Sequence, residues 1–360
     1  MKIKNQGFDH VEFVVNDIGQ HAKMYQSMGF EKIGSRKLNA RGLSSEVYAQ
    51  GLLRIILTQY DESESAKKEE GYQFLKRHGD GICVLAVDVE DATLAYEETT
   101  KRGARSALEP VKYETENGTV IRSEIWTPED VRYAFIQRVA PSGPDSPALF
   151  DEGLTVSRLK SPAPLNIQLI DHLTNNVQMG DLRRWVDYYD KVFGFIVTRK
   201  FDIRTGRTGL LSEVVQSADG KIKVPINEAT EKESQVQEFV ERFKGPGVQH
   251  LALLTTGIID TISILKNKKY EFLKVPHTYY EMIPKRVPSA KEDLSLLEEL
   301  SLLLDGDESG YLLQIFTAET VGPFFFEFIQ RKGNKGFGEG NFRALFEAIE
   351  RDQIKRGVLK

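Results

Sequence analysis

The chain has 360 residues, a formal charge of −5, 40% hydrophobic and 28% charged residues, six histidines and one cysteine. A lone cysteine, Cys83, excludes an intramolecular disulfide framework and a cysteine-rich zinc site, so a metal would have to be held by His, Asp or Glu. No apolar run approaches the ~18 residues of a membrane span, the start leads into no secretory signal, and the dispersed negative charge argues against a nucleic-acid partner, which together point to a cytoplasmic protein of about two domains.

In chain order, Phe8-Asp9-His10-Val11-Glu12-Phe13 reads as a short strand, followed by a helix-like stretch and a turn at Met28-Gly29-Phe30. Leu52 to Leu57 is strand-like, and Gly79-Asp80-Gly81 opens the strand Ile82 to Val87. Asn117-Gly118-Thr119 is better read as a turn than as a glycosylation site. Ala134-Phe135-Ile136-Gln137-Arg138 ends the first half, and Ala140 to Pro164, rich in Pro, Ser and Asp, is the linker candidate.

The pattern then repeats about 160 residues downstream. Ile170-Asp171-His172-Leu173 matches the first Asp-His strand, and Phe193-Gly194-Phe195 matches the Gly-Phe turn. Between them Trp185, Tyr188, Tyr189 and Val192 share one helix face. Gly245-Pro246-Gly247-Val248-Gln249-His250 matches the Gly79 segment, and Glu327-Phe328-Ile329-Gln330-Arg331 matches the segment ending at Arg138. The second half carries roughly 27 extra residues, which include an amphipathic helix expected over Ser289 to Asp305, with Leu294, Leu297, Leu300, Leu303 and Leu304 at helical spacing. The expected fold is α+β, with duplicated βαβββ modules in two domains. These are an N-terminal domain over 1–145, a linker over 146–165 and a C-terminal domain over 166–360, each with a curved, open-barrel-like mixed sheet.

The halves differ where chemistry would sit. Against His172, His250 and Glu327 in the second, the first has His10, Val84 and Ala134. Two neutral imidazoles and a carboxylate form the facial triad of non-haem iron oxygenases, which leaves three positions open on the metal. A lone strand histidine is usually a packed core residue. Three ligand types that survive together in one repeat, with two of them absent from the other, argue for a site. His10 reads as structural, and His21, His78 and His277 have no partners at ligand spacing.

The strings Gly247-Val248-Gln249-His250-Leu251-Ala252-Leu253, Gly310-Tyr311-Leu312-Leu313-Gln314-Ile315-Phe316-Thr317 and Phe325-Phe326-Glu327-Phe328-Ile329-Gln330-Arg331 resemble the 4-hydroxyphenylpyruvate dioxygenase family of the vicinal-oxygen-chelate superfamily. So does the tail from Gly336 to Glu347. The resemblance is strongest from about Asn166 onward. It implies Fe(II) on His172, His250 and Glu327, an α-keto acid substrate that chelates the metal, and O2 as co-substrate. The implied products are homogentisate and CO2, formed by oxidative decarboxylation, ring hydroxylation and side-chain migration. It further implies a polar pocket from Ser212, Pro225, Asn227, Gln235, Gln249 and Gln314, and walls from Phe316, Phe325, Phe337, Asn341 and Phe342. Which of Ser212, Asn227, Gln235 and Gln249 meets the phenol is left open. Taken alone, Ser212 or Asn227 would be read as a strand-end or turn residue.

In the tail, Gly333, Gly336, Gly338 and Gly340 lack dinucleotide-binding spacing. Asn341 is the expected N-cap of a closing helix whose stripe is Phe342, Leu345, Phe346 and Ile349. That helix reads either as a domain-closing element or as a lid. Two rivals remain on the same scaffold. One is a hydroxymandelate synthase, which the aromatic Phe342 disfavours within the resemblance; the other is a non-catalytic small-molecule binding protein. Family members are commonly homodimers or homotetramers, so the resemblance implies a homo-oligomer.

Overall fold

The computed structural model describes residues 4–115, 118–139, 154, 156, 165–204, 208–343, 353–354 and 357. The first half runs β1 (Asn5–Val14), α1 (Ile18–Ser27), β2 (Glu31–Leu38), β3 (Leu43–Gln50), β4 (Leu53–Tyr60), α2 (Glu70–His78), β5 (Gly81–Val89), α3 (Ala92–Lys101), β6 (Ser106–Thr115), β7 (Gly118–Trp126) and β8 (Arg132–Val139). The second half begins β9 (Ile167–Val177), α4 (Leu182–Tyr188), β10 (Ile196–Arg204), β11 (Gly209–Gln216), β12 (Lys223–Ala229) and α5 (Gln235–Phe243). It continues β13 (Gly247–Thr255), α6 (Ile258–Asn267), α7 (His277–Arg286), α8 (Leu294–Leu300), β14 (Leu303–Asp307), β15 (Gly310–Phe316) and β16 (Phe325–Lys332).

Among the described residues these strands form two eight-stranded mixed sheets of one topology, β2-β3-β4-β1-β5-β8-β7-β6 and β10-β11-β12-β9-β13-β16-β15-β14. Each sheet is two βαβββ modules joined by an antiparallel pair, β1 with β5 or β9 with β13, while the parallel pairs β1–β4 and β5–β8 recur as β9–β12 and β13–β16. The duplicated, curved α+β fold expected from the repeat is therefore present. The Asn117 turn and most of the linker lie outside the described residues.

The extra length of the second half is α7 and α8, but the leucine-rich helix is shorter than its spacing suggests. The Asp293 carboxylate accepts from the Ser295 and Leu296 amides and starts α8 at Leu294. Ser301, at φ 60°, ends it in the left-handed region. Leu303 and Leu304 then belong to β14, paired with Gln314 and Leu313. Both leucines are buried in either geometry, so apolar spacing alone could not separate strand from helix.

Aromatic side chains join the halves. Tyr133 meets Phe193 edge-on at 5.0 Å, and Phe13 meets Phe324 at 5.2 Å. His78 stacks on Phe243 at 4.6 Å while its ring nitrogens face the Phe243 carbonyl and Asp130. The repeated glycines Gly81 and Gly247 are explained here. A Cβ on either would fall within 2.7 Å of the Phe243 ring, so both must be glycine for that ring to wedge between the sheets.

Beside its apolar core the first half buries a charged network. Glu12, Arg122, Glu124 and Arg132 are buried or nearly so. Arg122 Nε donates to Glu124 Oε1 at 2.7 Å, Arg132 donates to Glu124 Oε2 at 2.8 Å, and Thr58 donates to Glu12 at 2.6 Å. The paired register places Glu12–Val84–Arg132 in the first half where Thr174–His250–Phe325 stands in the second. This network thus occupies the counterpart of the space around His250 in the second half.

Candidate metal centre

Three adjacent strands build the site as two short rows. In one, His172 on β9, Ala252 on β13 and Glu327 on β16 are in register. In the other, two residues along, Thr174, His250 and Phe325 are in register. Strand alternation turns both rows to the same face. Ala252 keeps the centre of this patch small, so the three donors lean over it. His172 Nε2 lies 3.2 Å and His250 Nε2 3.4 Å from Glu327 Oε2, with donor atoms of all three within 4.8 Å of one another. All three side chains are buried.

Two β-bulges supply what alternation alone would not. The register steps from Val248 directly to His250, and from Ala252–His172 to Leu253–Ile170, leaving Gln249 and Asp171 as the extra residues. Each bulge lets a residue reach the histidine that follows it. Asp171 Oδ1 lies 2.9 Å from His172 Nδ1, and Gln249 Oε1 lies 3.0 Å from His250 Nδ1. Both acceptors fix the histidines with Nδ1 protonated, which leaves Nε2 as the ligand atom. Arg331 grips Asp171 with two 2.7 Å hydrogen bonds and donates to the Gly336 carbonyl at 2.6 Å.

The electrostatics suit a cation. Burial alone would raise the Glu327 carboxyl, but the charge and hydrogen bond of His172 hold it down at about 2. Burial lowers His250 and keeps it neutral, with Glu327 opposing only in part. Burial opposes the charged form of His172 too, yet the Glu327 charge and the Asp171 hydrogen bond raise it above the ordinary histidine value. Asp171, pushed up by burial, is held well below the carboxylate range by Arg331 and His172. A divalent cation bound to Nε2 must displace the proton that His172 holds toward Glu327. Metal affinity should therefore rise with pH, up to tenfold per unit, until the pH passes the raised His172 value. A chelator-competition titration at several pH values checks this.

Aromatic rings wall the cluster. Phe325 stacks on His250 at 5.0 Å, Phe316 meets His250 edge-on at 6.1 Å, and Phe337 meets His172 edge-on at 5.3 Å. A small cavity of about 20 Å³ adjoins His250, lined by Leu210, Asn227, Gln235, Val236, Gln249 and Phe342. Ser212 stands opposite Asn227 across β11 and β12, and Pro225 shares the Asn227 face two residues back. Among the described residues Ser212 Oγ and Asn227 Oδ1 are buried with no hydrogen-bond partner, while Asn227 Nδ2 donates to Asn176 at 3.3 Å. Such orphaned polar atoms can accept a water or a polar ligand.

Gln314 Nε2 donates to Glu327 Oε1 at 2.7 Å and to the Phe337 carbonyl at 3.2 Å. Asn341 Nδ2 donates to Gln314 Oε1 at 2.8 Å, and Tyr279 donates to Asn341 at 2.5 Å. Asn341 is therefore not an N-cap. Helical backbone already begins at Glu339, and the Gly338 carbonyl accepts from the Asn341 and Phe342 amides. The Asn341 side chain is turned inward because Gln314 and Tyr279 satisfy it there. Leu345, Phe346 and Ile349 lie outside the described residues, but Gln353 beyond them donates to Glu238 on α5 at 2.9 Å.

Gly338 sits at φ +73°, and a Cβ there would stand 2.0 Å from Gln314 Oε1. Gly338→Ala should push Gln314 off Glu327 and reduce metal affinity about ten- to a hundredfold, as loss of an outer partner does. Metal titration of the variant reads this, and unchanged affinity would show the contact to be idle.

Of the site residues expected from the sequence, all but Ser212 and Pro225 touch the cluster, its hydrogen-bond partners or the cavity beside it; those two stand on the adjoining strands β11 and β12. Reading by residue type missed Asp171, Arg331, Thr174 and Tyr279. Asp171 and Arg331 had left a signal, since Asp-His and Gln-Arg recur in both repeats as Asp9-His10 and Gln137-Arg138. His10 indeed keeps its Asp9 partner at 2.5 Å, and Arg138 its hydrogen bonds to Asp9, without the other two ligands. Tyr279 lies in the inserted segment, where the repeat offers no comparison.

Family models match both halves. The N-terminal model of hydroxyphenylpyruvate dioxygenase covers residues 2–124. The model of the glyoxalase, bleomycin resistance protein and dioxygenase superfamily covers residues 169–282. The 4-hydroxyphenylpyruvate dioxygenase of Legionella pneumophila subsp. pneumophila is 36% identical, with 98% of this chain and 96% of that protein covered. Hemolysin VllY of Vibrio vulnificus is 37% identical with the same coverage, 98% and 96%. Among solved structures, a triple mutant of 4-hydroxymandelate synthase from Streptomyces coelicolor superimposes with a TM-score of 0.85 at 25% identity, over 98% of this chain and 100% of that one.

Proposed function

The chain belongs to the 4-hydroxyphenylpyruvate dioxygenase family, and from that premise we propose that it converts 4-hydroxyphenylpyruvate and O2 to homogentisate and CO2. The observation that carries this reading is the buried His172, His250 and Glu327 cluster beside orphaned Ser212 and Asn227 atoms. One end suits a metal-chelating keto acid and the other a phenol.

The metal in this reading is Fe(II), held by His172, His250 and Glu327. Bound there, it supplies chelation of the keto acid and activation of O2. The chain supplies binding, orientation and dryness. Phe316, Phe325, Phe337 and Phe342 clamp the ring and exclude water. Ser212, Asn227, Gln235 and Gln249 offer hydrogen bonds to the phenol, whose burial without a partner would be unfavourable. Gln314 steadies Glu327 and, through Asn341, the segment carrying Phe342.

By this proposal residues 166–360 form the catalytic domain and 1–145 a supporting one, joined through 146–165, in a cytoplasmic homo-oligomer. The likeness to 4-hydroxymandelate synthase favours a second reading, oxidation of the same substrate at its benzylic carbon. Phe342 weighs against it. Aerobic incubation with Fe(II), ascorbate and 4-hydroxyphenylpyruvate, followed by NMR of the product, separates the two. Tight binding of the keto acid without O2 uptake would instead mark a non-catalytic binding protein.

A further inference from the structure

Thr174 is fully buried, on the same strand face as His172 and in register with His250. Its Oγ1 lies 3.0 Å from His250 Nε2. His250 Nδ1 faces the Gln249 carbonyl oxygen, an acceptor only, so Nε2 carries the lone pair and Thr174 is the donor. The hydroxyl therefore occupies the approach to the nitrogen that a metal must take. Once the metal holds that nitrogen, the hydroxyl needs another acceptor in a buried, water-poor space.

The first half shows that this strand position reaches the interior. Its counterpart, Glu12, extends into the same space, accepts from Thr58 and faces Arg122. The neighbours of Thr174 in its row are an imidazole and a phenyl ring, His250 and Phe325. Phe325 offers no acceptor.

Resting on the function proposed above, we infer that Thr174 is a positioning residue that donates its hydroxyl hydrogen to an oxygen of the α-keto acid head when metal and substrate are both bound. It thereby fixes which way the head lies against His250. The interaction is a hydrogen bond to a charged or strongly polarised oxygen, of the stronger kind.

Thr174→Val keeps the shape and removes the donor; Thr174→Ser keeps the donor. The holo protein, loaded with Fe(II) under anaerobic conditions, is titrated with 4-hydroxyphenylpyruvate and with phenylpyruvate, and metal affinity is measured separately. The expected result is keto-acid affinity weakened about tenfold in Thr174→Val for both ligands. Thr174→Ser should lie near wild type, and metal affinity should be unchanged. Wild-type keto-acid affinity in Thr174→Val overturns the inference. So does weakened metal binding with keto-acid affinity intact, because the hydroxyl then serves His250 or Glu327. If the wild-type protein binds neither keto acid, the functional reading itself fails and takes this inference with it.

Discussion

Replacing Glu327 with glutamine should abolish turnover while leaving the fold in place. The change is isosteric, and Gln314 can still donate to the remaining carbonyl oxygen. What disappears is the only carboxylate among the three donors and the charge that holds a proton, or a cation, against His172. Removing an outer partner of a metal ligand lowers affinity about ten- to a hundredfold. Removing the ligand's charge should exceed that, so the loss of metal affinity is expected beyond about a hundredfold, with activity falling in step. Metal content after dialysis and product formation at saturating Fe(II) read the two effects. His10→Ala is the control. It changes the matching histidine of the other half and should leave activity unaltered. Activity retained in Glu327→Gln, or lost in a folded His10→Ala, would mean that the working half has been misassigned.

The largest loss of stability is expected from the first half, where no cluster of metal-ligating side chains occurs among the described residues. Glu124 is 3% exposed and binds Arg122 and Arg132 at once. Glu124→Ala would leave two guanidiniums without their shared carboxylate, with Glu12 3.8 Å from Arg122 as a more distant counter-charge. Breaking a buried ion pair from one side costs about 3–5 kcal/mol, a large part of a domain's margin of roughly 5–15 kcal/mol. Denaturant unfolding should show the drop, and turnover per folded molecule should stay near wild type. A shift below about 1 kcal/mol would place the network among screened surface pairs.

The repeat made most of this legible in the sequence. Because the chain carries two versions of one fold, His250 against Val84 and Glu327 against Ala134 identified the ligands by internal contrast. The duplicated sheet followed from the same comparison. Two things stayed hidden for physical reasons. Strand alternation would send Gln249 and His250 to opposite faces, as it would Asp171 and His172; only bulges bring each pair together, and a bulge leaves no mark in hydrophobic period. Leucine spacing likewise could not show that Ser301 ends α8 and that Leu303 and Leu304 pair in a sheet. Asn341 failed as a cap for a related reason. An asparagine ahead of an apolar stripe is a good local cap, but the hydrogen bonds that Asn341 donates to Gln314 and accepts from Tyr279 are tertiary and outweigh local preference.

The carboxylate–imidazole–guanidinium unit of Asp171, His172 and Arg331 survives in the first half as Asp9, His10 and Arg138. In design terms that half is a socket with its bracket still mounted. Two donor atoms are missing, at Val84 and Ala134, and the bore is filled by Arg122, Arg132 and their carboxylates. Installing a histidine and a glutamate alone would bring a cation up against two guanidiniums. A second centre could be written into this chain only by clearing the arginines in the same step, so single substitutions give no gradual route back to it.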